Sequence, residues 1–287
     1  MSRTVLILGA SGFAGKAFDR AFFTDGWRIR RYQRGTDPAE AARGVDLIIN
    51  AMNPPNYHDW ARQIPKITEL AMTAARTSGA RVLIPGNVYV YGRQPGPWST
   101  DTPHSPCSRK GKIRADMEAA WRESRLPVTI LRGGDFIDEQ RRGQAIGLVV
   151  LKKLHTARVT AMGEPKIQRA YAYLPDFARA AAILSKSDDL PIFADIPFPG
   201  HSFSINDLVA EIERQTDSRL EINHFPWWAL RLSAPFWELG RELLEQRYLY
   251  DHPHSLDGAC FEALCPHFDH TPLEKVIARL IQLHTSG

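Results

Sequence analysis

The chain has 287 residues, with 36 Lys+Arg against 32 Asp+Glu for a net charge of +4, 44% hydrophobic and 24% charged residues. That balance excludes fibrous, collagenous and disordered chains, and so small a positive excess does not imply a nucleic-acid partner. Three cysteines cannot build a disulfide framework, no run approaches the roughly 18 apolar residues of a bilayer span, and Gly9 breaks the first apolar run too early for a signal peptide, so a cytoplasmic protein without membrane partners is expected.

Residues 4–8 (TVLIL) form an aliphatic, β-branched run that predicts a strand ending at Gly9. Phe13, Ala14, Ala17, Phe18, Ala21 and Phe22 then recur at helical spacing. Between the two lies Gly-Ala-Ser-Gly-Phe-Ala-Gly, residues 9–15. Glycines at a strand-to-helix turn let a pyrophosphate approach the backbone and the helix N-terminus, so Gly9, Ser11, Gly12, Phe13 and Gly15 are candidate dinucleotide contacts. Gly12 is expected to hold a backbone conformation that side chains disfavour.

The second strand, residues 27–32, should end beside the adenosine ribose, where an acidic residue would favour NAD and an arginine NADP. No acidic residue lies between Trp27 and Thr36, but Arg28, Arg30, Arg31 and Arg34 do. NADP is therefore expected over NAD, with Arg31 and Arg34 as phosphate ligands and Arg28 and Arg30 readable as a solvated strand face.

A short helix over 38–43 leads to a strand at 46–50, after which Ala51 should line the cofactor. The interval from Arg34 to Asp46 holds only that helix, so the sheet is expected to have about six strands. A long helix at 57–78, a strand at 81–84, a helix at 111–124, a strand at 128–131, a helix at 176–185 and a strand at 192–195 continue the alternation. This is the pattern of an α/β Rossmann-type, doubly wound parallel sheet. Beyond Arg132 it gives way to a Gly/Arg stretch at 133–147 and helical patterns at 146–154, 205–216, 227–248 and 272–284. The reading is a cofactor domain of residues 1–135, with 173–197 returning to it, and a smaller, mostly helical substrate lobe of 136–172 and 198–287.

Further motifs follow in order: Gly-Asn-Val-Tyr-Val-Tyr-Gly at 86–92, Leu-Arg-Gly-Gly-Asp-Phe at 131–136, Tyr-Leu-Pro-Asp-Phe-Ala at 173–178 and Thr-Pro-Leu-Glu at 271–274. With the glycine loop, this ordered set resembles the short-chain dehydrogenase/reductase superfamily, in its extended and atypical branch of epimerases, dehydratases and reductases. The resemblance implies a catalytic Tyr-x-x-x-Lys, yet no tyrosine here has a lysine four residues on, and Asn87 stands where a Ser or Thr is usual. Aligning Ser108 with the tyrosine puts Lys112 at the lysine position, which makes Lys112, Asn87 and Tyr89 the candidate catalytic residues, with Lys112 and Asn87 also expected to contact the cofactor. The implied function is an atypical NAD(P)(H)-dependent oxidoreductase or epimerase/dehydratase-like enzyme for a small carbonyl or sugar-like substrate. The alternative is a non-catalytic NADP(H)-binding redox sensor of the same fold.

His252, His254, His267 and His270 crowd with Cys260 and Cys265, but without zinc spacing, so no metal is assigned. Phe225, Trp227, Trp228, Phe236 and Trp237 read as core, with an apolar substrate pocket or a homodimer face as the alternative.

Overall fold

The computed structural model describes residues 2–138 and 144–285, so residues 139–143 of the Gly/Arg stretch lie outside the described residues. In chain order the first half runs β1 (Thr4–Leu8), α1 (Phe13–Thr24), β2 (Arg28–Arg31), α2 (Pro38–Ala41), β3 (Leu47–Asn50), α3 (Trp60–Ser78), β4 (Arg81–Gly86), α4 (Arg109–Ser124) and β5 (Val128–Arg132). The remainder runs β6 (Asp135–Ile137), β7 (Arg158–Ala161), β8 (Arg169–Tyr173), α5 (Leu174–Leu184), β9 (Phe193–Pro197), β10 (His201–Phe203), α6 (Ile205–Thr216), β11 (Glu221–His224), α7 (Trp227–Ser233), α8 (Glu238–Glu245), α9 (Ala259–Leu264) and α10 (Leu273–Thr285).

Six strands pair in the order β2-β1-β3-β4-β5-β9, every pair parallel. This is the Rossmann-type sheet expected from the sequence, six strands wide. Its central strands are buried along their whole length, which is why they read as continuous apolar runs. Phe18, Phe22, Phe177 and Ala181 from α1 and α5 cover one face; Trp60, Ile64, Met117 and Trp121 from α3 and α4 cover the other. The chain leaves β1 for β2 on one side and returns to β3 on the other, so a crevice opens between β1 and β3 at the carboxyl edge.

Beyond β5 the chain forms two further small sheets, β10-β8-β6 and β11-β7. Strand β8 escaped the sequence reading because its buried residues, Arg-Ala-Tyr-Ala-Tyr, include no aliphatic or β-branched run of the kind that marks the central strands. The single helix expected over 227–248 is broken instead. Pro235, which lacks an N–H, sits in a 3-10 turn at Ala234–Phe236, and α8 starts afresh after it.

Candidate active site

At the carboxyl edge the glycine loop is built by close approach. Gly9 has φ +82°, and a Cβ there would lie 2.9 Å from Met52 N. A Cβ on Gly15 would fall 2.1 Å from Gly9 O. Gly12 differs from expectation: at φ −72° and ψ 175° it is ordinary extended backbone, and a Cβ would meet only Gly9 O at 3.1 Å. The left-handed residue is therefore Gly9. Gly12 caps α1 without a side-chain acceptor for the first turn, and Ala51 lies against Gly9 across the β1/β3 crevice. These are the features a dinucleotide pyrophosphate needs, a turn without side chains at an uncapped helix start.

The helix that faces this edge is α4. Ser108 is its N-cap and accepts from Gly111 N at 3.0 Å, a structural duty that uses the hydroxyl. The Lys112 side chain is 72% exposed and pairs with Asp116 at 3.2 Å, so the structure does not bring it into the site. The inward pair is Lys110 and Arg114, which keep the i, i+4 spacing of the missing Tyr-x-x-x-Lys and share one helix face. Sequence reasoning missed them because it searched for tyrosine. The surviving signal was the spacing itself, with a glycine after Lys110.

The Lys110 ammonium is fully buried. Its three donors are met by Glu242 O at 3.1 Å, by Glu245 Oε2 at 2.7 Å and by the Glu242 carboxylate, all from α8. It also stands 5.1 Å from the centroid of the Tyr57 ring. Arg114 donates to Asn53 Oδ1 at 2.8 Å and lies over Trp60, while its Nε has no hydrogen-bond partner among the described residues.

Tyr57 and Tyr89 place their hydroxyls 3.3 Å apart. Burial raises the pKa of both, Tyr89 well above the usual phenol value, so each hydroxyl keeps its proton. From the second lobe, Arg169 on β8 donates to Asp135 Oδ2 on β6 at 2.5 Å and lies 4.1 Å from the Tyr250 ring centroid. The Arg169 Nε also has no hydrogen-bond partner among the described residues. Tyr89 thus lies in this group, joined by Tyr57, Asp135, Arg169 and Tyr250, of which the sequence reading had marked only Asp135, within the motif at 131–136. Tyr57 and Asp135 follow β3 and β5 at the carboxyl edge, a positional signal the sequence carries, whereas Arg169 and Tyr250 come from elements outside the six-stranded sheet.

Asn87 supports the group from below. Its Oδ1 accepts from Tyr89 N at 3.0 Å, capping the Val88–Tyr91 turn, and its carbonyl accepts from Arg132 at 2.6 Å. The buried Arg132 guanidinium places its five N–H donors on that carbonyl and on both oxygens of Glu118 and of Asp195. His104 completes the cluster, 3.4 Å from Glu118. Together His104, Glu118 and Asp195 have the spacing of a metal site, but Arg132 already supplies the positive charge between the carboxylates. Elsewhere His254 stacks on Trp98 and His270 packs among Phe198, Phe261 and Phe268, which accounts for two of the clustered histidines.

The arginines of β2 are also engaged. Arg31 forms a forked pair with Asp19 of α1 at 2.5 and 2.8 Å, and Arg30 donates to the carbonyls of Ala41 and Arg43. Arg34 and Arg28 are exposed.

No family model and no curated protein matches this sequence. Solved structures share its fold from end to end. MoeE5, complexed with UDP-glucose and NAD, superposes with a TM-score of 0.76 at 18% identity over 98% of each chain. The UDP-glucuronic acid 4-epimerase of Bacillus cereus, complexed with UDP-glucuronic acid and NAD, gives 0.77 at 15% over 99% of each. TunA, an NAD-dependent NDP-hexosamine 5,6-dehydratase, gives 0.74 at 15% over 100% of this chain and 99% of its own. These neighbours belong to the epimerase and dehydratase branch that the motifs resemble.

They also overturn the expected NADP. The complexed neighbours hold NAD. At β2, an arginine count in the sequence does not reveal that Asp19 holds one of the two expected phosphate ligands, Arg31, in a forked ion pair.

Proposed function

We propose that the chain is an NAD-dependent enzyme that oxidises, epimerises or dehydrates a sugar-like substrate, in the manner of the nucleotide-sugar enzymes whose fold it shares. The observation that carries this is the buried Lys110–Arg114 pair, at i, i+4 on the α4 face turned toward the Tyr57–Tyr89 hydroxyls. Gly9, Ser11, Gly12, Phe13, Gly15 and Ala51 would hold the dinucleotide, and Arg114 stands where its inner end would be met. When bound, the nicotinamide supplies hydride exchange. The protein's own part is positioning, charge and proton removal: the neutral hydroxyls of Tyr57 and Tyr89 hydrogen-bond a substrate oxygen, the Asp135 carboxylate takes the hydroxyl proton released as hydride leaves, and the Lys110 ammonium stabilises negative charge on the oxygen. Arg169 and Asp135 close the site from the lobe side and orient polar groups of the substrate.

One observation favours a second reading, an NAD-binding protein without turnover. All three Lys110 donors are occupied by α8, so the ammonium can reach a substrate only if Glu242 and Glu245 withdraw. The experiment that separates the two follows bound NAD at 340 nm during incubation with a panel of nucleotide sugars, with products read by NMR. Lys110→Met is expected to reduce turnover by at least 100-fold while NAD affinity stays within about threefold, an energy of about 2.8 kcal/mol placed on the reacting oxygen. Lys112→Ala is expected to be silent. Turnover that survives Lys110→Met removes the lysine from the chemistry, and NAD binding without turnover on any of the sugars selects the second reading.

A further inference from the structure

The segment from α7 through α8 carries an apolar surface that neither the fold nor the active site uses. Trp227 and Leu230 anchor it inward, with the Trp227 indole donating to Met162 O at 2.6 Å. The residues between them and after them point out. Trp228 and Leu232 are 71% exposed, Phe236 94% and Trp237 47%. Pro235 puts Phe236 at the crest of the turn, so the aromatic ring projects instead of continuing a helix face.

The charge around this surface is predominantly positive. Of the three α8 carboxylates, Glu242 and Glu245 are turned inward onto Arg109 and Lys110, and Glu238 faces His58 at 3.0 Å. Arg231 and Arg241 are exposed and have no carboxylate partner among the described residues, with Arg241 donating to the carbonyls of Ala234 and Pro235. Arg231 also lines a polar cavity of about 340 Å³ with Arg93, Arg247, Glu245 and Asp251, in which Arg247 pairs with Asp251 at 3.6 Å. Exposed tryptophan, phenylalanine and leucine rimmed by arginines are the composition of a segment that lies in the headgroup boundary of a bilayer.

We infer that the α7–α8 segment docks the protein on anionic phospholipid surfaces, with Phe236, Leu232 and Trp228 inserted and Arg231 and Arg241 on headgroup phosphates. No helix among the described residues is long and apolar enough to cross a membrane, so the attachment is peripheral. A second copy of the chain fits the surface less well. Pairing two such faces would set arginine rims against each other, with Glu238 already committed to His58.

The test is co-sedimentation of the full chain with vesicles of phosphatidylcholine alone and of phosphatidylcholine mixed with phosphatidylglycerol. Binding to the mixed vesicles is expected, at least tenfold tighter than to the neutral ones, weakened by salt and accompanied by a blue shift of tryptophan emission. Leu232→Ser/Phe236→Ser should lose the binding by at least tenfold with an unchanged circular-dichroism spectrum, since both side chains are exposed. Arg231→Glu should erase the preference for the anionic vesicles. Absence of binding to either vesicle, or binding that the double substitution leaves intact, overturns the inference. Concentration-dependent self-association abolished by the same double substitution, without vesicle binding, overturns it in favour of a dimer face.

Discussion

A Gly15→Ala protein is expected to fold and to lose NAD binding by 100-fold or more, which corresponds to about 2.8 kcal/mol. The added methyl would fall 2.1 Å from Gly9 O, 2.8 Å from Gly9 C and 2.9 Å from Ala10 Cα, all backbone atoms that cannot rotate aside. Relief requires the first turn of α1 to back away from the strand-to-helix turn, and the N–H groups that would meet the pyrophosphate move with it. Overpacking of this kind costs about 1–3 kcal/mol of stability, so a thermal melt should show a lowered but cooperative transition. Gly12→Ala is the control. Its methyl meets one oxygen at 3.1 Å in an ordinary backbone conformation, so the loop persists and affinity falls by less than tenfold. Calorimetric titration with NAD distinguishes the two, and Gly15→Ala binding at the unaltered affinity would remove the loop from the cofactor site.

The contrast between the two glycines shows where sequence reading stops. Periodicity and glycine placement sufficed for the Rossmann sheet, for its missing strand between Arg34 and Asp46, and for the position of the loop, because those follow from local apolar patterns and chain length. Which glycine is left-handed depends on how closely β3 passes behind the turn, and that is a tertiary fact. The same holds for charge. Arg31 looked available until Asp19, twelve residues earlier on α1, was found to hold it. Lys110 and Lys112 are two residues apart on one helix and chemically identical in sequence, yet one is fully buried among carboxylates from residues 242 and 245 and the other faces solvent. A helix with basic residues all round gives no apolar stripe from which to read its inner face. Partners more than a hundred residues away decide it.

Arg132→Leu is expected to cost about 3–5 kcal/mol of stability near neutral pH, because it leaves Glu118 and Asp195 buried with no guanidinium between them. The loss should depend on pH through His104, whose Nε2 lies 3.4 Å from Glu118 and 3.9 Å from Asp195. In the unaltered protein the His104 pKa is lowered below its ordinary 6.5, first by burial, with Arg132 adding repulsion. Protonation there opposes folding, so this group contributes stability above its unfolded pKa and loses it as pH falls through the folded one. Removing Arg132 reverses the sign. The imidazolium becomes the counter-ion of two carboxylates, its folded pKa rises above the unfolded value, and its contribution is present below the unfolded pKa and lost as pH rises through the folded one. The gap between the two proteins should therefore be widest at pH 8 and narrow toward pH 5, as read by urea denaturation, with the His104 ring titrating at higher pH in the variant by NMR. Arg132→Leu combined with Glu118→Met and Asp195→Leu should recover most of the stability, since an apolar set of similar volume replaces the ion pairs. It should not recover the site. The Asn87 carbonyl would still lack its 2.6 Å donor, and with it the anchor of the turn that carries Tyr89. A gap that stays constant from pH 5 to pH 8 would show that His104 does not take over the role of the guanidinium.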